Sequence, residues 1–122
     1  MNQHLEVIRC LLPLLDTLGE ALEHMEKQVE SLNFEGALKM LVDFLGGVAG
    51  IEQAMIPMDH QLDLTKIREL AAQMKIPLNQ GVNDLYQQDS VAFKSRLKEL
   101  VYPSFVSWKE AITITLSPFV LS

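Results

Sequence analysis

Apolar residues in the first 32 positions recur at Leu5, Ile8, Leu12, Leu15, Leu18, Leu22, Met25, Val29 and Leu32, in steps of three and four. That spacing follows one face of an α-helix and excludes a strand, whose faces alternate every second residue. Asp16, Glu20, Glu23, Lys27 and Glu30 fall on the other side, so the segment reads as an amphipathic helix with a solvated acidic face. The pattern then returns three times. A second helix is expected from Phe34 to about Met55, capped by Asn33, with Leu38, Leu41, Phe44 or Leu45, Val48, Ile51 and Met55 inward. Only Asn33 separates the two, so they fold back as a tight antiparallel hairpin. Pro57 and Asp59 mark the next break.

Asp63 caps a third helix with Ile67, Leu70, Ala71, Met74, Leu78 and Leu85 on its inner side. Pro77, Asn79, Gly81, Asn83 and Asp84 are poor helix formers, which predicts a helix to about Lys75 and then a kink or a short extra helix. Asp89 and Ser90 cap the fourth, whose stripe is Phe93, Leu97, Val101, Phe105, Trp108 and Ile112. The alternating run Ile112 to Leu116 looks like a strand but would have no partner. It is read as helix to about Thr115, then an extended tail. Pro13 predicts a bend or a late helix start, and Pro103 a bend. The expected architecture is all-α: an antiparallel up-and-down four-helix bundle with proline-kinked helices, residues 1–116, followed by an apolar C-terminal tail, 117–122. A shift of 57 residues pairs Phe44 with Val101, Val48 with Phe105 and Ile51 with Trp108, a match that amphipathic helices also give by chance.

Composition narrows function mainly by exclusion. With 122 residues, 48% of them hydrophobic, the chain can bury one core, and one Cys excludes an internal disulfide framework. Ten basic against sixteen acidic residues give a net charge of −6. This argues against nucleic acid, which demands a basic surface, and against an anionic membrane surface. Met1 to Glu6 lack a basic cluster and no apolar run approaches the roughly 20 residues of a membrane span, so a cytoplasmic protein is expected.

Chemistry-bearing residues are scattered. His4, His24 and His60 form no metal-ligand spacing, and Cys10 lies in the apolar setting V-I-R-C-L-L, where core or interface packing is expected. No cofactor, metal site or catalytic group is implied. Gly46, Gly47 and Gly50 carry no phosphate-binding motif. Each helical glycine costs about 1 kcal/mol relative to Ala, so either the helix breaks at Gly46-Gly47 or a neighbour packs closely on Gly46, Ala49 and Gly50. Close packing is the expectation, and a bulky residue at Gly50 would then unfold the domain.

Val7 to Leu15 is apolar around nearly the whole helix, only Arg9 being polar among its turns, whereas a bundle helix needs one stripe. The surplus, Val7, Leu11 and Leu14, is read as a homodimer or partner surface, the chain's own Phe119-Val120-Leu121 being the other possible cover. A cavity lined by Tyr102, Phe105 and Trp108, opened by proline bends, is the alternative site.

The block Asn33 to Val48, together with Asp89 through Pro103 and Trp108, resembles an uncharacterised family of short, acidic, all-helical proteins of Gram-positive bacteria. Asp89, Pro103 and Trp108 match that family's last helix, while Leu100 departs from the Glu it tends to carry before the proline. The resemblance implies a helical fold and no reaction. The leading expectation is a non-enzymatic interaction or self-association module that binds a partner helix through a Met- and Leu-rich surface. The alternative is a ligand-binding or enzymatic bundle with its cavity near Trp108.

Overall fold

The computed structural model describes residues 4–121; residues 1–3, Ser122 and the Leu121 side chain, and so the ends of the expected bundle and tail, lie outside the described residues. All regular structure among them is helical. The order is α1 (Leu5–Glu30), α2 (Phe34–Met55), a 3₁₀ turn (Ile56–Met58), α3 (Thr65–Tyr86), α4 (Ser90–Arg96), a π segment (Leu97–Val101), α5 (Tyr102–Leu116) and α6 (Pro118–Leu121). None of these helices is long and apolar enough to cross a membrane. α1 packs on α2, α2 on α3, α3 on α4 and α5, and these on α1, enclosing one core.

The core follows the apolar spacing with local shifts. On α1 it consists of Ile8, Leu11, Leu15, Leu18, Leu22, Met25 and Val29. Either Leu11 or Leu12 fits the three-four step between Ile8 and Leu15; the fold buries Leu11 and leaves Leu12 partly buried at the edge of the core, beside α5. Leu32 is 66% exposed, since the helix has already ended. Its backbone turns left-handed at φ 60°, its N–H bonding Val29 O at 2.9 Å while Asn33 N–H reaches Gln28 O at 2.8 Å. Those paired carbonyl caps form a Schellman ending, a place where glycine is usual. The Asn33 side chain then accepts from Gly36 N–H at 3.0 Å and starts α2. Gln88, at φ 55°, and Asp89, which accepts from Ala92 N–H at 3.0 Å, repeat the device between α3 and α4. Leu64, not Asp63, is the N-cap of α3; Asp63 stands one residue further out, where its side chain accepts from Thr65 N–H at 3.0 Å.

At two prolines the structure removes one of the expected alternatives. α1 starts at Leu5 and runs through Pro13, so there is no late start. α3 runs through Pro77 to Tyr86, so no separate helix follows it. Pro77 itself is buried between Met74 and Leu78, and Gly81 lies so close to Phe93 that an added Cβ would sit 3.1 Å from its ring. Burial of that face outweighs the missing donor, which costs about 3 kcal/mol in an unsupported helix. Near Pro103 the helix takes up a π segment. Tyr102 N–H bonds Leu97 O, five residues back, and Pro103 falls in the first turn of α5, where its lost donor has no helical partner to lose. The tail is likewise not extended: α6 is a helical turn against α1 and α5, with Phe119 and Val120 packed on the core.

The buried positions of the two halves repeat. Ile8, Leu11, Leu15, Leu18, Leu22, Met25 and Val29 of α1 recur 56 residues on as buried Leu64, Ile67, Ala71, Met74, Leu78, Gly81 and Leu85. Ala37 and Leu41 recur at Phe93 and Leu97 with the same offset, but Phe44, Val48, Ile51 and Met55 recur at Val101, Phe105, Trp108 and Ile112, 57 on. The offset changes inside Leu97–Val101, so the π segment is where one extra residue is absorbed.

Candidate functional site

Between α1 and α2 runs an open groove. One stretch of about 490 Å³ is lined by Glu6, Val7, Cys10, Leu11, Leu14, Gly47, Gly50, Ile51 and Ala54. A second hollow, of about 240 Å³, lies further along the same helix pair, lined by Thr17, Leu18, Ala21, Met40, Asp43 and Phe44. As the α1 positions rise the α2 positions fall, which is the register of an antiparallel pair. Along α1 the open strip is Val7, Cys10, Leu14, Thr17 and Ala21. Along α2 it is Met40, Asp43, Gly47, Gly50 and Ala54. Both advance by threes and fours, so each helix turns a second face, beside its buried one, toward the same trough.

Of the three residues read as a surplus surface, Val7 is 37% and Leu14 49% exposed, but Leu11 is 2% exposed and belongs to the core. α6 covers part of α1, leaving Val7 and Leu14 bare. Cys10 is exposed in the groove wall and not buried in the core.

The glycines depart from expectation. An added Cβ at Gly46 or Gly50 would meet nothing within 4 Å, so close packing on Gly46, Ala49 and Gly50 is overturned, and α2 does not break there either. Contact occurs at Gly47, where a Cβ would lie 2.8 Å from Leu18 Cδ2. Gly47 lets Leu18 lie low against α2, and Gly50 leaves the floor open.

The charged residues lining the groove are Glu6 and Asp43. Glu6 pairs loosely with Arg9 at 3.6 Å, both exposed. Asp43 has no hydrogen bond or ion pair among the described residues. The site therefore offers apolar contact with an acidic edge. A second groove, between α2 and α3, is more polar, and its charges are already matched, Lys75 with Glu52 and Arg68 with Asp59.

The repeat supplies an internal comparison. The positions answering to Val7, Cys10, Leu14 and Thr17 are Asp63, Lys66, Leu70 and Gln73, and those answering to Gly47 and Gly50 are Ser104 and Ser107. The second half carries polar residues where the first carries a thiol, glycines and Val7. The fold alone does not ask for an apolar strip there.

Tyr102, Phe105 and Trp108 lie elsewhere. Trp108 is fully buried and packs on Phe105, ring centroids 6.2 Å apart, and Phe105 packs on Phe44 at 5.8 Å. Tyr102 is half-buried, and its phenol is pushed above the ordinary range by burial, then by Glu26 and Glu23. Phe105 also edges a shallow surface groove with Val106, Lys109 and Thr113. The Trp108 Nε1–H has no hydrogen-bond partner among the described residues.

Sequence reading missed one polar cluster. Buried Asp84 accepts from Arg96 Nε at 2.7 Å and Nη2 at 3.3 Å, while Arg96 Nη1 donates to Gln80 Oε1 at 2.8 Å. The hydrogen bond to Asp84 raises the Arg96 pKa further. The cluster ties α3 to α4 across their turn. Its only sequence signal was an acid and an arginine either side of a helix stop. His24 and His60 are exposed, and no three His, Cys, Asp or Glu side chains among the described residues are grouped to hold a metal ion.

Residues 6–111 match the model of a family described as a domain of unknown function, DUF8042. No curated protein and no solved structure matches the chain.

Proposed function

We propose that this chain, which belongs to the DUF8042 family, is a non-enzymatic interaction module that seats an amphipathic helix of a partner protein in its α1–α2 groove. The observation that carries this is the open strip of three-four spacing on both helices, which carries Val7, Cys10, Gly47 and Gly50 where the equivalent strip of the other half carries Asp63, Lys66, Ser104 and Ser107. Two parallel ridges at that spacing receive a third helix by the same packing that joins the helices of a bundle. From Val7 to Ala21 the trough is about 21 Å long at 1.5 Å per residue, room for roughly four turns of partner helix.

The four long helical stretches are read as an up-and-down bundle. Support comes from Lys109 paired with Asp16 and Gly19 facing Phe105, which together run α1 and α5 in opposite directions. A cytoplasmic setting belongs to the same reading, in keeping with a sequence whose single Cys gives no internal disulfide framework.

Cys10 supplies the test. A designed peptide of about 17 residues, with a leucine ridge and uncharged flanks, should slow maleimide labelling of Cys10 in the full chain. Leu14→Asp, at an exposed position, should abolish that protection without changing the helical circular dichroism. Equal protection in parent and variant, or none in the parent, removes the reading. A second reading, a ligand cavity beside Trp108, is favoured by the unpaired indole N–H. It requires that a small-molecule panel shift Trp108 fluorescence and raise the melting temperature.

A further inference from the structure

We propose that the helix received by this groove is cationic: a segment of another protein whose apolar ridge is flanked by Lys or Arg, and not a second copy of this chain. The inference rests on the groove reading above and adds the partner's charge. Glu6 and Asp43, the charged residues lining the trough, are both acidic. They stand on opposite walls. Glu6 lies beside Val7, and Asp43 faces Thr17, so along α1 the two charges are separated by about 16 Å, the rise of eleven helical residues. A helix lying in the trough meets them with two basic residues on opposite flanks, about ten or twelve positions apart, since about eleven make three whole turns and return to one flank.

Asp43 is uncommitted and Glu6 is held only weakly. Asp43 has no ion-pair partner among the described residues, and Arg9 holds Glu6 only through an exposed contact at 3.6 Å. The other half of the molecule places Lys66 where the groove has Cys10. The fold thus accepts a cation at that position, and the groove does without one. A second copy would bring the opposite match. Groove against groove sets Glu6 and Asp43 of both chains into one interface and brings together two bodies each carrying −6.

The test compares two twins of the designed peptide, identical in their leucine ridge, one with Lys and one with Glu at the two flanking positions. Each is titrated against the full chain by Cys10 protection and by isothermal calorimetry. At low salt the Lys twin should bind about five-fold more tightly, as expected of two exposed ion pairs, and the gap should narrow as salt rises. The double variant Glu6→Gln, Asp43→Asn should bind both twins alike. Equal binding of the twins to the parent overturns the charge assignment while the groove reading stands. Failure of both twins and of the uncharged peptide sinks the groove reading itself. Sedimentation of the parent as a dimer that oxidises to a Cys10–Cys10 cross-link overturns the proposal in favour of a second copy.

Discussion

Gly50→Leu separates the stability of this fold from what its groove does. Gly50 is an exposed residue inside α2, and a Cβ built there meets nothing within 4 Å. Replacing helical glycine with leucine recovers about 0.8 kcal/mol of propensity, since Gly lies about 1 kcal/mol below Ala and Leu only slightly below. For a chain of this size that is a rise in melting temperature of about 3 °C. The same side chain projects onto the floor of the groove, between the walls made by Cys10, Leu14 and Ala54. Binding of the designed peptide should therefore fall at least about ten-fold, a loss on the order of 1.4 kcal/mol. Urea titration followed by circular dichroism reads the first effect and Cys10 protection reads the second. Gly47→Ala is the control: its Cβ would meet Leu18 at 2.8 Å, so Leu18 must turn aside and part of the propensity gain is lost. Destabilisation by Gly50→Leu of more than about 1 kcal/mol would show that the space is filled, as the glycine spacing first suggested. Undiminished peptide binding would place the ligand elsewhere.

Leu32→Gly and Gln88→Gly should each stabilise by about 1 kcal/mol, because both residues hold φ near +60° at helix endings that glycine adopts freely; chemical denaturation measures it. Asp84→Ala leaves Arg96 without its carboxylate and should cost about 2–3 kcal/mol, below the 3–5 of a fully enclosed pair because the Arg96 side chain is 25% exposed. Tyr102 has its pKa raised from 10.0 by burial, with Glu26 and Glu23 adding, so the fold favours the protonated phenol. The contribution is whole below the unfolded value and is lost as pH rises through the higher folded one. Tyr102→Phe should therefore lose less stability than the parent as pH rises past 10.0, read from urea midpoints.

The helical class and most of the core were legible because apolar side chains at three-four spacing can be buried together on one face only. Phe93, Leu97, Val101, Phe105, Trp108 and Ile112 are all buried as that spacing required. What escaped were features set by geometry between elements. Pro77 reads as a helix breaker in isolation, and only the packing of its face and of Gly81 against Phe93 keeps α3 whole. Open space over Gly50 depends on where α1 lies, which glycine spacing does not record. The surplus surface was visible as an excess of apolar residues, yet spacing alone placed Leu12 inward where the chain uses Leu11. Asp84 and Arg96 were hidden because a buried ion pair leaves no periodic trace. The π segment did leave one. Three successive steps of four, from Phe93 to Phe105, span twelve residues where three α-helical turns take about 10.8, and α2 makes the same passage from Ala37 to Val48 in eleven.

That extra residue and Pro103 explain each other, and a deletion cycle can show it. In the present chain Tyr102 N–H reaches back five residues to Leu97 O, so Pro103 enters α5 as a first-turn residue. Removing Glu99, which is exposed, would bring Leu97 and Val101 to the three-residue step of Leu41 and Phe44 and allow unbroken α-helix. The core face is then preserved, but Pro103 becomes an interior residue whose ring meets the carbonyl of Lys98. Deletion of Glu99 alone should cost about 3 kcal/mol. Pro103→Ala alone should shift stability by less than about 1 kcal/mol, since a first-turn proline forfeits little. Combined, the two changes should return to within about 1 kcal/mol of the parent, leaving a coupling of about 2–3 kcal/mol in the double-mutant cycle. Additive losses would mean that the π segment serves some other contact, and that the shift from offset 56 to 57 at this point is not what accommodates the proline.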